Sequence, residues 1–323
     1  MLFALNATRE LAARVAQHLG GALEPHEERE FEDGEHKARP LVNVRDRDVY
    51  VLQSLYGDAG ASVNDKLVRL LFFLGALRDA AAARVTALVP YLGYARKDAR
   101  TQPRDPVTTR YVAALFEAVG ADCVATLEVH NLAAFQNAFR CRTEHLDTAA
   151  LFARYFAELL RDEERVAVVS PDAGGVKRAE RLRRALGSLR QAEAPLAFME
   201  KARAKGVLTA GKLVGDVAGS AAVIVDDLIS TGSTLAYAAR ACRAAGARRV
   251  YAAAAHGLFV GDANRVLTAG DLEKIIVTDS VPPFRLDPAL VREKLVLVSV
   301  AGLFAEAVRR LHEGGSLVEL LAV

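Results

Sequence analysis

Short apolar runs and amphipathic helical stretches alternate from one end of this chain to the other. That alternation restricts the fold more than any single residue does. Arg84 to Val89, Cys123 to Leu127, Val166 to Val169, Ala221 to Val225, Val250 to Ala255 and Lys274 to Thr278 are rich in Val, Ile and Ala and read as buried strands. Helical patterns lie between them. Leu67, Leu70, Leu71, Leu74 and Leu77 recur at three- and four-residue spacing behind Ser62-Val63-Asn64-Asp65, a cap with an early acid. Thr108 to Val119, Thr148 to Leu160 and Leu235 to Ala245 are further helices, two of them stopped at Gly120 and Gly246. Repeated strand–helix order predicts an α/β protein with two doubly wound parallel sheets. The 323 residues suit two domains, placed at 1–146 and 147–302, with a C-terminal helix over 303–323 able to pack back on the first.

The chain is 52% hydrophobic and 25% charged, a balance that builds cores rather than a disordered tail. A net charge of +2 points to no nucleic-acid surface. No apolar run reaches the roughly 18 residues a membrane helix needs, and the N-terminus lacks a signal-peptide core. Cys123, Cys141 and Cys242 form no CxxC pair and read as reduced core thiols of a cytoplasmic protein.

Chemistry concentrates after the apolar run Ala221 to Val225. Asp226 and Asp227 come first, then Leu228-Ile229-Ser230-Thr231-Gly232-Ser233-Thr234, then the helix. Loops at the carboxyl ends of parallel strands are where open α/β sheets place ligands. Backbone N–H groups at a glycine turn and a helix start make an anion site, and the hydroxyls of Ser230, Thr231, Ser233 and Thr234 add donors. Two carboxylates repel phosphate but accept hydrogen bonds from hydroxyls, so the stretch fits a sugar phosphate. An ordinary helix cap with two solvated acids is the competing reading. Asp172-Ala173-Gly174-Gly175 follows another strand, with glycines that let backbone approach phosphate and an acid placed to meet a metal ion. Phe198 to Gly206, which holds Lys201, Arg203 and Lys205, reads as a mobile basic loop. Tyr91 to Asp98 combines two tyrosines with Arg96 and Lys97, which suits an aromatic ligand carrying phosphates. His130 stands at a strand end, and Phe31-Glu32-Asp33-Gly34-Glu35 is an acidic turn with one aromatic.

Val225 to Gly232 resembles the loop that binds phosphoribosyl diphosphate (PRPP) in phosphoribosyltransferases and in ribose-phosphate pyrophosphokinases; this stretch alone fits both. The ordered set of Phe31, Asp33 to Glu35, Tyr94 to Asp98, His130, Ser170 to Gly175, Lys201, Arg203, Asp226 to Thr234 and His256-Gly257 resembles the pyrophosphokinases along the whole chain. The resemblance implies transfer of the diphosphoryl group of ATP to O1 of ribose 5-phosphate, giving PRPP and AMP, with Mg2+ as cofactor and a homo-oligomer, dimer or hexamer. It implies that Phe31, Asp33 and Glu35 reach the adenine of ATP on a neighbouring subunit and that Arg96, Lys97 and His130 lie along ATP. It further implies that His130 and Asp172 hold magnesium, that Asp172, Ala173, Gly174 and Gly175 form the diphosphate loop, and that Lys201 and Arg203 are catalytic. Asp226 and Asp227 would meet the ribose hydroxyls, and Ser230, Thr231, Gly232, Ser233 and Thr234 the 5-phosphate. Ser230 stands where many family members carry Asp, and Ser316-Leu317-Val318 keeps one of two serines found in allosterically regulated members. A weakly active regulatory homologue and a phosphoribosyltransferase are the alternatives.

Overall fold

A computed structural model describes residues 1–204 and 207–322, with side chains described outside 201–210. Packing divides the chain into two units, one of Met1–Leu146 with Val300–Leu320, the other built on Asp147–Ser299.

The first unit contains β1 (Leu2–Ala4), α1 (Arg9–His18), β2 (His26–Glu30), β3 (His36–Pro40), β4 (Asp48–Leu52), α2 (Val63–Asp79), β5 (Arg84–Val89), α3 (Thr108–Ala118), β6 (Cys123–Leu127), α4 (Leu132–Ala138) and β7 (Arg142–Leu146). Its main sheet is parallel in the order β1-β4-β5-β6-β7. Alternate residues of these strands, Val49, Val51, Val85, Ala87, Val89 and Val124, share one core with Leu70, Leu74, Leu77, Phe116 and Phe135 of α2, α3 and α4. The expected cap of α2 is a full capping box: Ser62 accepts from the Asp65 N–H and Asp65 accepts from the Ser62 N–H.

The second unit contains α5 (Ala149–Leu159), β8 (Val166–Ser170), α6 (Val176–Arg190), β9 (Leu196–Ala204), β10 (Val207–Val214), β11 (Ala221–Ile229), α7 (Ser233–Ala244), β12 (Arg249–Gly257), α8 (Ala263–Thr268), β13 (Lys274–Thr278), α9 (Pro288–Lys294) and β14 (Leu295–Val298). The sheet order is β10-β9-β8-β11-β12-β13-β14, parallel except for β10. Val168, Val223 and Ala253 pack with α5 and α6 on one face; Val169, Ile224 and Ala252 pack with α7 and α8 on the other. Then α10 (Ala301–Glu313) and α11 (Leu317–Leu321) close the chain. Within the first unit, α10 runs beside α1 and is tied to the sheet, because Arg84 Nη2 donates to the Leu311 carbonyl at 3.0 Å and His312 Nδ1 lies 2.7 Å from Asp48 Oδ2.

Two segments depart from the sequence reading, and a third, the turn at Phe31, agrees with it but sits between strands that the sequence did not show. The polar stretch after Val225 stays in the strand as far as Ile229, because the Asp226 and Leu228 backbones keep register with Ala254 and His256 of β12. Phe198 to Ala204 is not a loop: it lies in β9 and pairs antiparallel with β10. The acidic turn at Phe31 caps an antiparallel ribbon of β2 and β3, whose polar strands show no apolar alternation. No helix among the described residues is long and apolar enough to cross a membrane.

Candidate functional site

From β8 the chain runs outward to β9 and β10 on one side, then crosses to β11 on the other. The strand order therefore reverses between β8 and β11, and a crevice opens at their carboxyl ends. The loops after these two strands hold Asp172 to Gly175 and Ser230 to Gly232, with Ser233 and Thr234 opening α7.

The loop after β8 is shaped by its own side chains. Ser170 Oγ donates to the Asp172 carbonyl at 2.6 Å, and Asp172 Oδ1 accepts from the Gly175 N–H at 3.0 Å. A Cβ on Gly175 would stand 2.7 Å from Ser170 Oγ, so a larger residue there would force that hydroxyl to move from its place on the Asp172 carbonyl. Ala173 and Gly174 are exposed at the tip.

Asp226 and Asp227 are brought together by a residue not singled out from sequence. Arg178, in the first turn of α6 and mostly buried, places Nη1 3.6 Å from Asp226 Oδ1 and 3.6 Å from Asp227 Oδ1. A cation at a helix N-terminus opposes the helix dipole. Lys177 and Arg178 in the first turn of α6, which carries no acid, were therefore the sequence signal for a facing anion. Burial, and then the neighbouring Asp227 carboxyl, push the Asp226 carboxyl well above the usual carboxylate range, with Arg178 pulling the other way. Two carboxylates against one guanidinium leave the cluster acceptor-rich, suited to hydroxyl donors and unsuited to phosphate.

The opposite end of the loop combines a glycine turn, hydroxyls and a helix start, the features of an anion site. Gly232 has φ 78°, and a Cβ there would lie 2.6 Å from Leu267 Cδ2, so both backbone and space demand glycine. Its turn delivers the chain into α7 at Ser233, a start with no side-chain cap bond. The Thr231 and Ser233 hydroxyls lie 3.0 Å apart. The Val260 N–H donates to the Ser230 carbonyl at 3.0 Å and holds the loop from behind. His256 belongs to the wall rather than the site: it is buried, with Nδ1 2.8 Å from Ser280 Oγ.

Other expected residues fall in the first unit. Phe31, Asp33 and Glu35 stand at the tip of the ribbon, where the Phe31 N–H donates to the Glu35 carbonyl and the Glu35 N–H to Asp33 Oδ1. The Arg29 guanidinium lies 4.7 Å above the Phe31 ring. Arg96 is exposed, whereas Lys97 binds Asp105 and Thr101 within its own loop. Lys97 holds the Asp105 carboxyl far below its ordinary range. His130 is exposed just beyond β6. The side chains of Lys201 and Arg203 lie outside the described residues. Among the described residues, no three His, Cys, Asp or Glu side chains are grouped to hold a metal ion.

A switch-point crevice with a carboxyl pair at one end and a glycine-turned helix start at the other has the chemistry to take hydroxyls at one end and an anion at the other. Residues 1–120 match the N-terminal domain of ribose phosphate pyrophosphokinase, and residues 187–322 match the phosphoribosyl synthetase-associated domain. The chain is 38% identical over 320 residues to the ribose-phosphate pyrophosphokinase of Caldanaerobacter subterraneus subsp. tengcongensis, covering 99% of this chain and 96% of that one. It is 36% identical to ribose-phosphate pyrophosphokinase 1 of Listeria monocytogenes, with the same coverage. The solved phosphoribosylpyrophosphate synthetase of Mycobacterium smegmatis superposes with a TM-score of 0.85 at 35% identity, covering 98% of this chain and 99% of that one. The chain belongs to the ribose-phosphate pyrophosphokinase family.

Proposed function

We propose that this chain is a ribose-phosphate diphosphokinase that converts ATP and ribose 5-phosphate to PRPP and AMP, for nucleotide biosynthesis. The O1 hydroxyl of the sugar loses its proton and attacks the β-phosphorus of ATP. The bond from that phosphorus to the α,β-bridging oxygen breaks, and AMP leaves. The observation that carries the reading is the two-ended crevice, with Arg178 holding Asp226 and Asp227 together at one end and Gly232 turning the chain into α7 at the other.

In this reading Asp226 and Asp227 accept the ribose hydroxyls, which fixes the ring and aims O1. Ser230, Thr231, Ser233 and Thr234, with the N–H groups of the first turn of α7, hold the 5-phosphate, and Gly232 lets backbone come close. Asp172 to Gly175 receive the transferred diphosphoryl group. Phe31, Asp33 and Glu35 at the ribbon tip face the adenine of ATP on a neighbouring subunit of a dimer or hexamer, with Arg96, Lys97 and His130 along the nucleotide. Lys201 and Arg203 supply cations where charge builds during transfer.

Asp172 and His130 are each assigned as a magnesium ligand. Asp172 offers the hard oxygen donor that magnesium prefers, and magnesium is usually held by one or two carboxylates together with substrate phosphates. When bound, the ion neutralises the polyphosphate and orients it for in-line attack. The protein is assigned to the cytoplasm.

Incubation with ATP, magnesium and ribose 5-phosphate, followed by AMP assay, tests the function. AMP formed only when the sugar is present is the expected result. No AMP under any nucleotide or metal concentration would overturn the reading in favour of a non-catalytic homologue.

A further inference from the structure

The β2–β3 ribbon is an exception to the way this protein packs. In the register of the pair, His26 faces Pro40, Glu28 faces Ala38 and Glu30 faces His36, so these residues share one side of the ribbon. That side turns toward α2 and the end of β1, where an apolar surface is the usual solution. Here it carries four ionisable groups. Beneath it lies a cavity of about 160 Å³ lined by Asn6, Glu28, His36, Gln53, Lys66 and Arg69, with Glu30 at its edge. Lys66 is committed to Asp58 and to the face of the Tyr56 ring.

Ala38 packs against the core and the His26 ring lies against Phe73, so beside the polar cavity the ribbon is seated by these contacts together with its bonds. The chief bonds converge on one side chain. Glu28, almost fully buried, accepts from His26 Nε2 at 2.9 Å, from His36 Nε2 at 3.2 Å and from the Asn6 N–H at 2.6 Å. Burial alone would raise its carboxyl, but the bonds from His26 and Asn6 outweigh that, and the group stays below the ordinary glutamate range. The second anchor, Arg69 to Glu30 at 2.9 Å, is at the exposed edge, where ion pairs contribute little. The imidazoles are themselves nine-tenths buried, and among the described residues neither Nδ1 has a partner. Glu28 therefore holds each ring by its Nε2, and the His26 ring also lies against Phe73.

We infer that Glu28 is a positioning residue for the nucleotide donor: by gripping both strands and the β1 loop at once, it sets where Phe31, Asp33 and Glu35 stand. The inference rests on the assignment of the ribbon tip to ATP under the proposed function. In this inference Glu28 acts through the ribbon tip, which begins three residues on at Phe31.

The test is made on the full-length protein. Glu28→Ala strands three donors and frees the ribbon to shift over the cavity. The KM for ATP rises roughly tenfold, while the KM for ribose 5-phosphate and the turnover at saturating ATP stay within about twofold. Glu28→Gln rescues the KM, since its carbonyl oxygen serves Asn6 and His26 and its amide meets His36 in the other tautomer. If Glu28→Ala does not melt cooperatively, Glu28→Asp gives the reading instead, with the charge kept and the reach shortened by one methylene. Amide exchange of residues 26–40 in the unliganded protein provides a second arm, in which Glu28→Ala speeds exchange of the ribbon and leaves β5 and β6 unchanged. Equal loss in both KM values, or unchanged ribbon exchange, would overturn the inference. Phe31→Ala separates it from the assignment beneath. If Phe31→Ala leaves the KM for ATP unchanged while Glu28→Ala still loosens the ribbon, the nucleotide assignment has failed and the anchor has not.

Discussion

The two main sheets of this protein are made of similar strands but wound differently. In the first unit the order β1-β4-β5-β6-β7 advances in one direction, and no reversal opens a crevice between neighbouring strands. In the second, the chain reverses between β8 and β11, and the candidate sugar-phosphate loops stand on both sides of that reversal. The first unit instead carries its candidate residues away from the strands, on a polar ribbon and on the loops after β5 and β6. Winding alone thus predicts a preformed site in one unit and an appended one in the other.

The strongest way to break this contrast is at Lys201 and Arg203, on the strand that leads outward from the reversal. Alanine at either position is expected to lower turnover by about 10²–10³-fold while ribose 5-phosphate affinity, measured by calorimetry, stays nearly constant. Equal losses in turnover and affinity would deny these residues a role specific to transfer.

A smaller effect sharpens the contrast between preformed and appended loops. Gly232→Ala must adopt a left-handed backbone and push into Leu267, so it is expected to cost about 2–3 kcal/mol of stability and to weaken ribose 5-phosphate binding at least tenfold. Gly34→Ala, at the ribbon tip, faces the same backbone demand at φ 89° but meets nothing within 4 Å. It should cost only about 1 kcal/mol. Thermal melts of the two variants compare them directly, and equal losses would show that packing behind the loop is unimportant.

The smallest effect concerns pH. Asp226 has its folded pKa raised, so between the ordinary aspartate range near 4 and its raised value the folded state holds a proton that the unfolded chain has lost. Stability from this group is therefore complete below the ordinary range and falls as pH rises through that window. Asp226→Asn removes the fall. The Tm of the unliganded variant should exceed that of the parent by about 3–5 °C at pH 8 and by almost nothing at pH 4. A gain of the same size at both pH values would mean that the carboxyl is not desolvated as its surroundings imply.

The strands β5, β6 and β13 were legible because buried parallel strands are continuous apolar runs with sharp ends. The ribbon was not, because His26-Glu27-Glu28-Arg29-Glu30 spends its inward positions on mutual hydrogen bonds and offers no apolar alternation. The strand character of Asp226 to Ile229 was hidden for a related reason. Polar residues at a strand end look like a loop until the partner strand is seen to continue beside them. Arg178 was one arginine among several on α6, and only its place in the first turn, against the dipole, set it apart. At the candidate site, the acids, the glycine turn and the hydroxyls could be read from residue type. What holds the acids in place could not, since that depends on the register of β8 against β11.

Because the space behind Gly232 is filled by Leu267, the curvature of the loop before α7 is moulded by a side chain of α8. The side chain on α8 works like a last behind a shoe. Exchanging it for a bulkier or slimmer one would retune the bend from a distance, with every hydroxyl of the loop untouched.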